Sequence, residues 1–185
     1  RPEVEGTAGQ IQDISKLTLV QELNDVEKLY FPSDQKIAYI TQTTLSVFDT
    51  QEIVDALEKK YPQILAPKKS DICYATSNRQ ISVQEIAQNV DAFFVIGAFN
   101  SSNSIRLVET AKRSGCDYSE LIENVDNFDY KKLNQYQSIG LTASASAPEK
   151  QLNLFIDRVK ENFNPEVVDY KEDENIVFKV PNFLN

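Results

Sequence analysis

Histidine is absent from this 185-residue chain, which removes the commonest general acid or base and any Ser-His-Asp triad built within it. Zinc is equally hard to accommodate, because Cys73 and Cys116 are the only thiols and zinc sites draw four ligands from cysteine, histidine and carboxylate. Two cysteines make no disulfide framework at this length, so a reducing compartment is expected. Long apolar runs are missing too. The longest, around Ala92 to Phe99, falls far short of the ~20 residues of a membrane-spanning helix. No basic segment followed by an apolar stretch opens the chain, so no secretory leader is expected, and the acceptor pattern Asn100-Ser101-Ser102 then has no route to glycosylation. Basic charge is in deficit, with 19 Lys and Arg against 28 Asp and Glu and a net charge of -9. Such a surface repels a phosphate backbone, which excludes nucleic acid as a partner.

What is present reads as one or two globular domains, with 41% hydrophobic and 25% charged residues. Strand-like runs at Lys36 to Thr41, Asp91 to Gly97 and Ser138 to Thr142 alternate with segments of helical spacing, which predicts parallel α/β units. Asp49-Thr50-Gln51-Glu52 has capping-box spacing and opens a helix that Pro62 closes. Ser82-Val83-Gln84-Glu85 repeats the signal and predicts a short helix before the second strand. Another helix follows Asn103 and stops at Gly115, a natural left-handed cap. A further one starts near Pro148 and buries Leu152, Phe155 and Val159. Leu65 to Ser70 combines proline and charge and predicts a domain boundary. The units expected are 1–68, 69–160 and a tail, 161–185, in which Ile176 to Val180 alternates like a strand.

Three loops that follow strands share one chemistry: Thr41-Gln42-Thr43-Thr44, Asn100-Ser101-Ser102-Asn103 and Thr142 to Ser146. Ligands of α/β sheets bind at such loops, and hydroxyl and amide groups beside the free N–H groups of a helix start form an anion cradle. Helix capping alone explains many such clusters, yet Asn-Ser-Ser-Asn supplies four polar side chains where a cap needs one. Cys73 follows the expected boundary and Cys116 follows the helix-ending Gly115, where a structural role is expected. Glu3 and Glu5 are, by composition, two acids among 28. If the chain is catalytic, a carboxyl group carries the proton.

Five segments occur in one order: Pro2-Glu3-Val4-Glu5-Gly6-Thr7, Thr41-Gln42-Thr43-Thr44-Leu45-Ser46, Asp71 to Gln80 (Asp-Ile-Cys-Tyr-Ala-Thr-Ser-Asn-Arg-Gln), Asn100-Ser101-Ser102-Asn103-Ser104 and Ala145-Ser146-Ala147-Pro148-Glu149. Together they resemble the 4-hydroxy-3-methylbut-2-enyl diphosphate reductases along nearly the whole chain. The resemblance implies a trefoil of small parallel-sheet α/β domains, two of the three being represented here. It implies a [4Fe-4S] cluster for which Cys73 matches one cysteine ligand, two others lying upstream of Arg1. Glu3 matches the proton-donating acid, and Thr43 the hydroxyl that links it to the substrate alcohol. Ser101, Ser102, Asn103 and Ser146 match the pocket for the small-molecule diphosphate, and Arg1 stands where the family has histidine. A ferredoxin- or flavodoxin-type electron donor and a cytoplasmic or plastid-stroma location are implied, with no membrane partner. The fragment alone is expected to be inactive. One alternative stays open, a cluster-free phosphate-binding module derived from the same fold.

Overall fold

The computed structural model describes residues 2–67 and 71–170, with the side chains of Pro2 and Glu3 outside that description. Arg1 and the expected strand at Ile176 to Val180 also lie outside the described residues. Three parallel strands form the sheet: β1 (Ala92–Ile96), β2 (Tyr118–Ile122) and β3 (Ile139–Ala143), in the order β2-β1-β3. This is the parallel α/β class expected from the sequence. The helices are α1 (Pro2–Ala8), α2 (Leu23–Lys28), α3 (Val47–Lys60), α4 (Tyr74–Ala87), α5 (Ser102–Arg113) and α6 (Glu149–Phe163).

β1 lies in the middle because it is apolar on both faces, as a covered parallel strand must be. Its alternate residues serve two cores. Phe93 and Val95 pack with Val83 and Ala87 of α4, Leu107 and Ala111 of α5, and Cys116. Ala92, Phe94 and Ile96 pack on the other face with Ile122, Val125, Leu133 and Phe155 and Val159 of α6. The Phe94 ring meets Phe128 edge-on at 5.4 Å and Tyr118 at 6.1 Å. Each fully buried aromatic or aliphatic side chain contributes about 1.5 to 3 kcal/mol, so the sheet is held chiefly through β1.

Local signals explain most boundaries. Gly115 adopts φ +103, and the Cys116 and Gly115 N–H groups donate to the carbonyls of Ala111 and Lys112 at 3.1 Å each. That double closure ends α5 where the sequence placed its cap. α6 begins after Pro148 and ends at Asn164, which is left-handed with φ 44 and ψ 53. α3 begins earlier than expected, because Ser46 rather than Asp49 caps it and accepts from the Asp49 N–H at 3.3 Å. α4 runs unbroken through Ser82, whose hydroxyl donates to the Asn78 carbonyl at 3.1 Å instead of capping a new helix. Lys36 to Thr41 forms no strand. Only Ala38 pairs, in an isolated parallel bridge to Leu65, since no other described strand lies alongside to extend a ladder.

α4 ties the first part of the chain to the sheet. Gln80, fully buried, accepts from the Val47 N–H at 3.0 Å and donates to the Leu45 carbonyl at 2.9 Å. Arg113 at the end of α5 pairs with Asp49 of α3, and that pairing raises the guanidinium pKa further. No described helix is long and apolar enough to cross a membrane.

Candidate functional site

Two of the three polar loops lie at the carboxyl ends of β1 and β3. After β1 the chain turns through Gly97 to Ser101, which caps α5: its hydroxyl accepts from the Ser104 N–H at 3.3 Å and its carbonyl from the Ile105 N–H at 3.1 Å. The capping role is therefore real. It accounts for Ser101 and leaves Asn103 unexplained. Asn103 is 6% exposed, and neither its Oδ1 nor its Nδ2 has a hydrogen-bond partner among the described residues. Ser102 opens the helix half-buried.

Across from it, β3 keeps its pairing one residue past its end, the Ser144 N–H donating to the Ile96 carbonyl at 2.8 Å. The Ser144 carbonyl then accepts from the Ala147 N–H at 2.9 Å, and this turn presents Ser146 to solvent. Gly97 lets the two loops approach. A Cβ there would stand 2.2 Å from Ser104 Oγ and 2.9 Å from Ser144 Oγ, closer than atoms can pack.

Thr43 and Cys73 are joined by backbone. The Cys73 N–H donates to the Thr43 carbonyl at 3.0 Å, and the Asp71 carboxylate accepts from the Thr41 N–H at 2.8 Å. Both Thr43 and Cys73 are exposed, Cys73 at the N-cap of α4. Six residues into that helix, Arg79 donates through Nε to the Ala143 carbonyl at 3.1 Å and through a terminal nitrogen to Ala75 at 3.0 Å. One helix thus connects the Thr43–Cys73 pair to the serine turn. Glu3 falls on α1, and its side chain is outside the described residues.

Cys116 is 1% exposed, and burial pushes its thiol pKa up. It remains a core thiol, which leaves Cys73 as the one thiol placed to reach a metal from solvent. Among the described residues no three His, Cys, Asp or Glu gather to hold a metal. An exposed thiol on a helix start fits one ligand of an iron-sulfur cluster whose other ligands come from elsewhere. The sequence alone does not single out Arg79, Gln80, Ser104 or Ser144: the first three lie inside the quoted segments and Ser144 inside the polar loop Thr142 to Ser146, but nothing in their spacing separates a tether from a surface polar residue.

Fold and site define a class, a parallel α/β protein with a polar site where two strand ends meet a helix start. Residues 1–160 match the family described as LytB protein, and the chain belongs to that family. It is 44% identical over 185 residues to the 4-hydroxy-3-methylbut-2-enyl diphosphate reductase of Ruegeria pomeroyi, and 45% identical to that of Roseobacter denitrificans. These alignments take in 99% of this chain and 58% of each relative, so the chain spans little more than half their length. The solved E-1-hydroxy-2-methyl-but-2-enyl-4-diphosphate reductase of Plasmodium falciparum superposes with a TM-score of 0.80 at 34% identity, over 88% of this chain and 51% of that one.

Proposed function

We propose that this chain belongs to a 4-hydroxy-3-methylbut-2-enyl diphosphate reductase and forms the part that grips the diphosphate and supplies one thiolate to the redox center. The observation that carries the reading is Asn103, a buried amide at a helix start with both polar atoms unpartnered among the described residues. Burying such a group costs about 1 to 3 kcal/mol, and a diphosphate oxygen at a helix N-terminus, accepting from the Asn103 Nδ2, offsets part of that cost. The names of the relatives support the same substrate class.

In the proposed reaction the allylic C–O bond breaks as two electrons and two protons are taken up. One proton leaves with the oxygen as water and one ends on carbon, giving isopentenyl or dimethylallyl diphosphate. Ser101, Ser102, Asn103 and Ser146 hold the diphosphate, which does not react and so fixes the alcohol in place. Glu3 delivers a proton through the Thr43 hydroxyl to the departing oxygen. Cys73 would hold a [4Fe-4S] cluster together with ligands from outside this chain. When bound, that group supplies the electrons and a Lewis acid. A ferredoxin- or flavodoxin-type protein recharges the site, in a bacterial cytoplasm or plastid stroma. Residues 1–68 and 69–160 act as two of three domains around it.

The test is turnover by the full-length protein, purified without oxygen, with substrate and a chemical reductant. Asn103→Ala should raise KM about tenfold or more, by removing a contact to the nonreacting group. Cluster-loaded protein that fails to consume this substrate would overturn the reading.

A further inference from the structure

We propose that Ser104 and Ser144 are positioning residues of the oxyanion cradle, their hydroxyls sharing one buried water that locks the start of α5 to the turn after β3. The inference rests on the reading of the site just given. Ser104 is 0% exposed and Ser144 2%, and neither Oγ has a hydrogen-bond partner among the described residues. Both Oγ atoms lie close to Gly97, 2.2 Å and 2.9 Å from where a Cβ on it would sit, which puts them within about 5 Å of each other. They do not bond each other. A single oxygen between them satisfies both, donating to one hydroxyl and accepting from the other.

The backbone around this point is already committed. The Gly97 N–H donates to the Ile122 carbonyl at 3.0 Å and the Ser144 N–H to the Ile96 carbonyl at 2.8 Å, so the strand ends stay fixed while the hydroxyls converge. The helix start that carries Ser104 also carries Ser101 and Asn103. The turn that begins at Ser144 carries Ser146. A water shared by Ser104 and Ser144 therefore sets the gap between the two walls of the cradle without touching the bound anion. Gly97 is required because a Cβ there would collide with the Ser104 side chain, 2.2 Å from its Oγ and 2.9 Å from its Cβ.

The experiment is calorimetric titration of the full-length protein with inorganic pyrophosphate, in Ser104→Ala, Ser144→Ala, the double variant and Asn103→Leu. Each serine variant should lose about five- to tenfold in affinity, as expected for one hydrogen bond. Because one oxygen serves both hydroxyls, the double variant should lose no more than about twofold beyond the weaker single. In turnover assays KM should rise in the same ratio while kcat stays within about twofold. Losses that multiply in the double variant, or serine variants that bind like wild type, would overturn the bridge. If wild-type protein binds no pyrophosphate, or Asn103→Leu binds it equally well, the cradle itself falls and the bridge with it. Weakened Asn103→Leu beside unchanged serine variants overturns the bridge alone.

Discussion

Replacing Asn103 with leucine should make the full-length protein more stable and less able to bind its ligand. The side chain is 6% exposed, and its amide finds no partner in the described residues. An unsatisfied buried polar group costs about 1 to 3 kcal/mol. Leucine fills a similar volume with no such requirement and favours a helix interior by a few tenths of a kcal/mol. The free protein should gain on the order of 1 to 3 kcal/mol, or about 2 to 4 °C in apparent Tm for each kcal/mol. Binding moves the other way. A hydrogen bond to a charged oxygen contributes about 1.5 to 3 kcal/mol, so pyrophosphate affinity should fall about 10- to 100-fold. Thermal melts and calorimetry of wild type and variant read both effects. A lower Tm with unchanged affinity would refute the reasoning, because the amide would then be satisfied inside the folded protein and would serve structure alone.

Glu3→Gln in the full-length protein should lower turnover about 10²- to 10⁴-fold with substrate affinity and iron content kept, since the amide cannot deliver the proton; Glu5→Gln is the control, and equal activity of the two would transfer the role elsewhere. Asp91 is held below the usual carboxylate range by the backbone N–H groups of Ser138 and Gln137, at 2.8 Å each, and by the Ser138 hydroxyl. The stability it contributes is therefore present above the ordinary aspartate pKa and lost as pH falls through the lowered value. Hydrogen exchange at Gln137 and Ser138 should accelerate over that acid range in wild type and be flat with pH, after the intrinsic rate is removed, in Asp91→Asn. This chain expressed alone should bind no stable cluster, because one exposed thiolate cannot hold four irons. Light scattering should also find it self-associating, since Ile14, Leu19, Ile40 and Leu65 are exposed apolar side chains; brown, monodisperse monomer would contradict both statements.

The sheet was legible where hydrophobicity runs unbroken. β1 is five apolar residues in a row and stands where its sequence placed it, whereas β2, Tyr-Ser-Glu-Leu-Ile, escaped notice because an edge strand with a half-buried face carries polar residues. Helix ends were legible where one residue decides them, as Gly115 does. They were misread where a capping pattern competes with tertiary packing. At Ser82 the helix continues because Val83 and Ala87 bury against Phe93 and Val95, and that burial outweighs a cap of about 1 kcal/mol. The site was legible as chemistry and not as geometry. Its serines and asparagines stood out by type, but that Ser101 caps, Asn103 is buried and Ser104 and Ser144 both lie close to Gly97 depends on how β1 and β3 lie side by side.

In the proposed enzyme Cys73 supplies a thiolate to an iron-sulfur center that works with the diphosphate cradle. The most direct test of that role is the visible absorption spectrum of the full-length protein purified without oxygen, compared between wild type, Cys73→Ser and Cys116→Ser. A serine hydroxyl is a poor substitute for a soft thiolate, so the charge-transfer band should be present in wild type and Cys116→Ser and lost in Cys73→Ser. A colourless wild-type protein that still binds pyrophosphate, or a band that survives in Cys73→Ser, would contradict it.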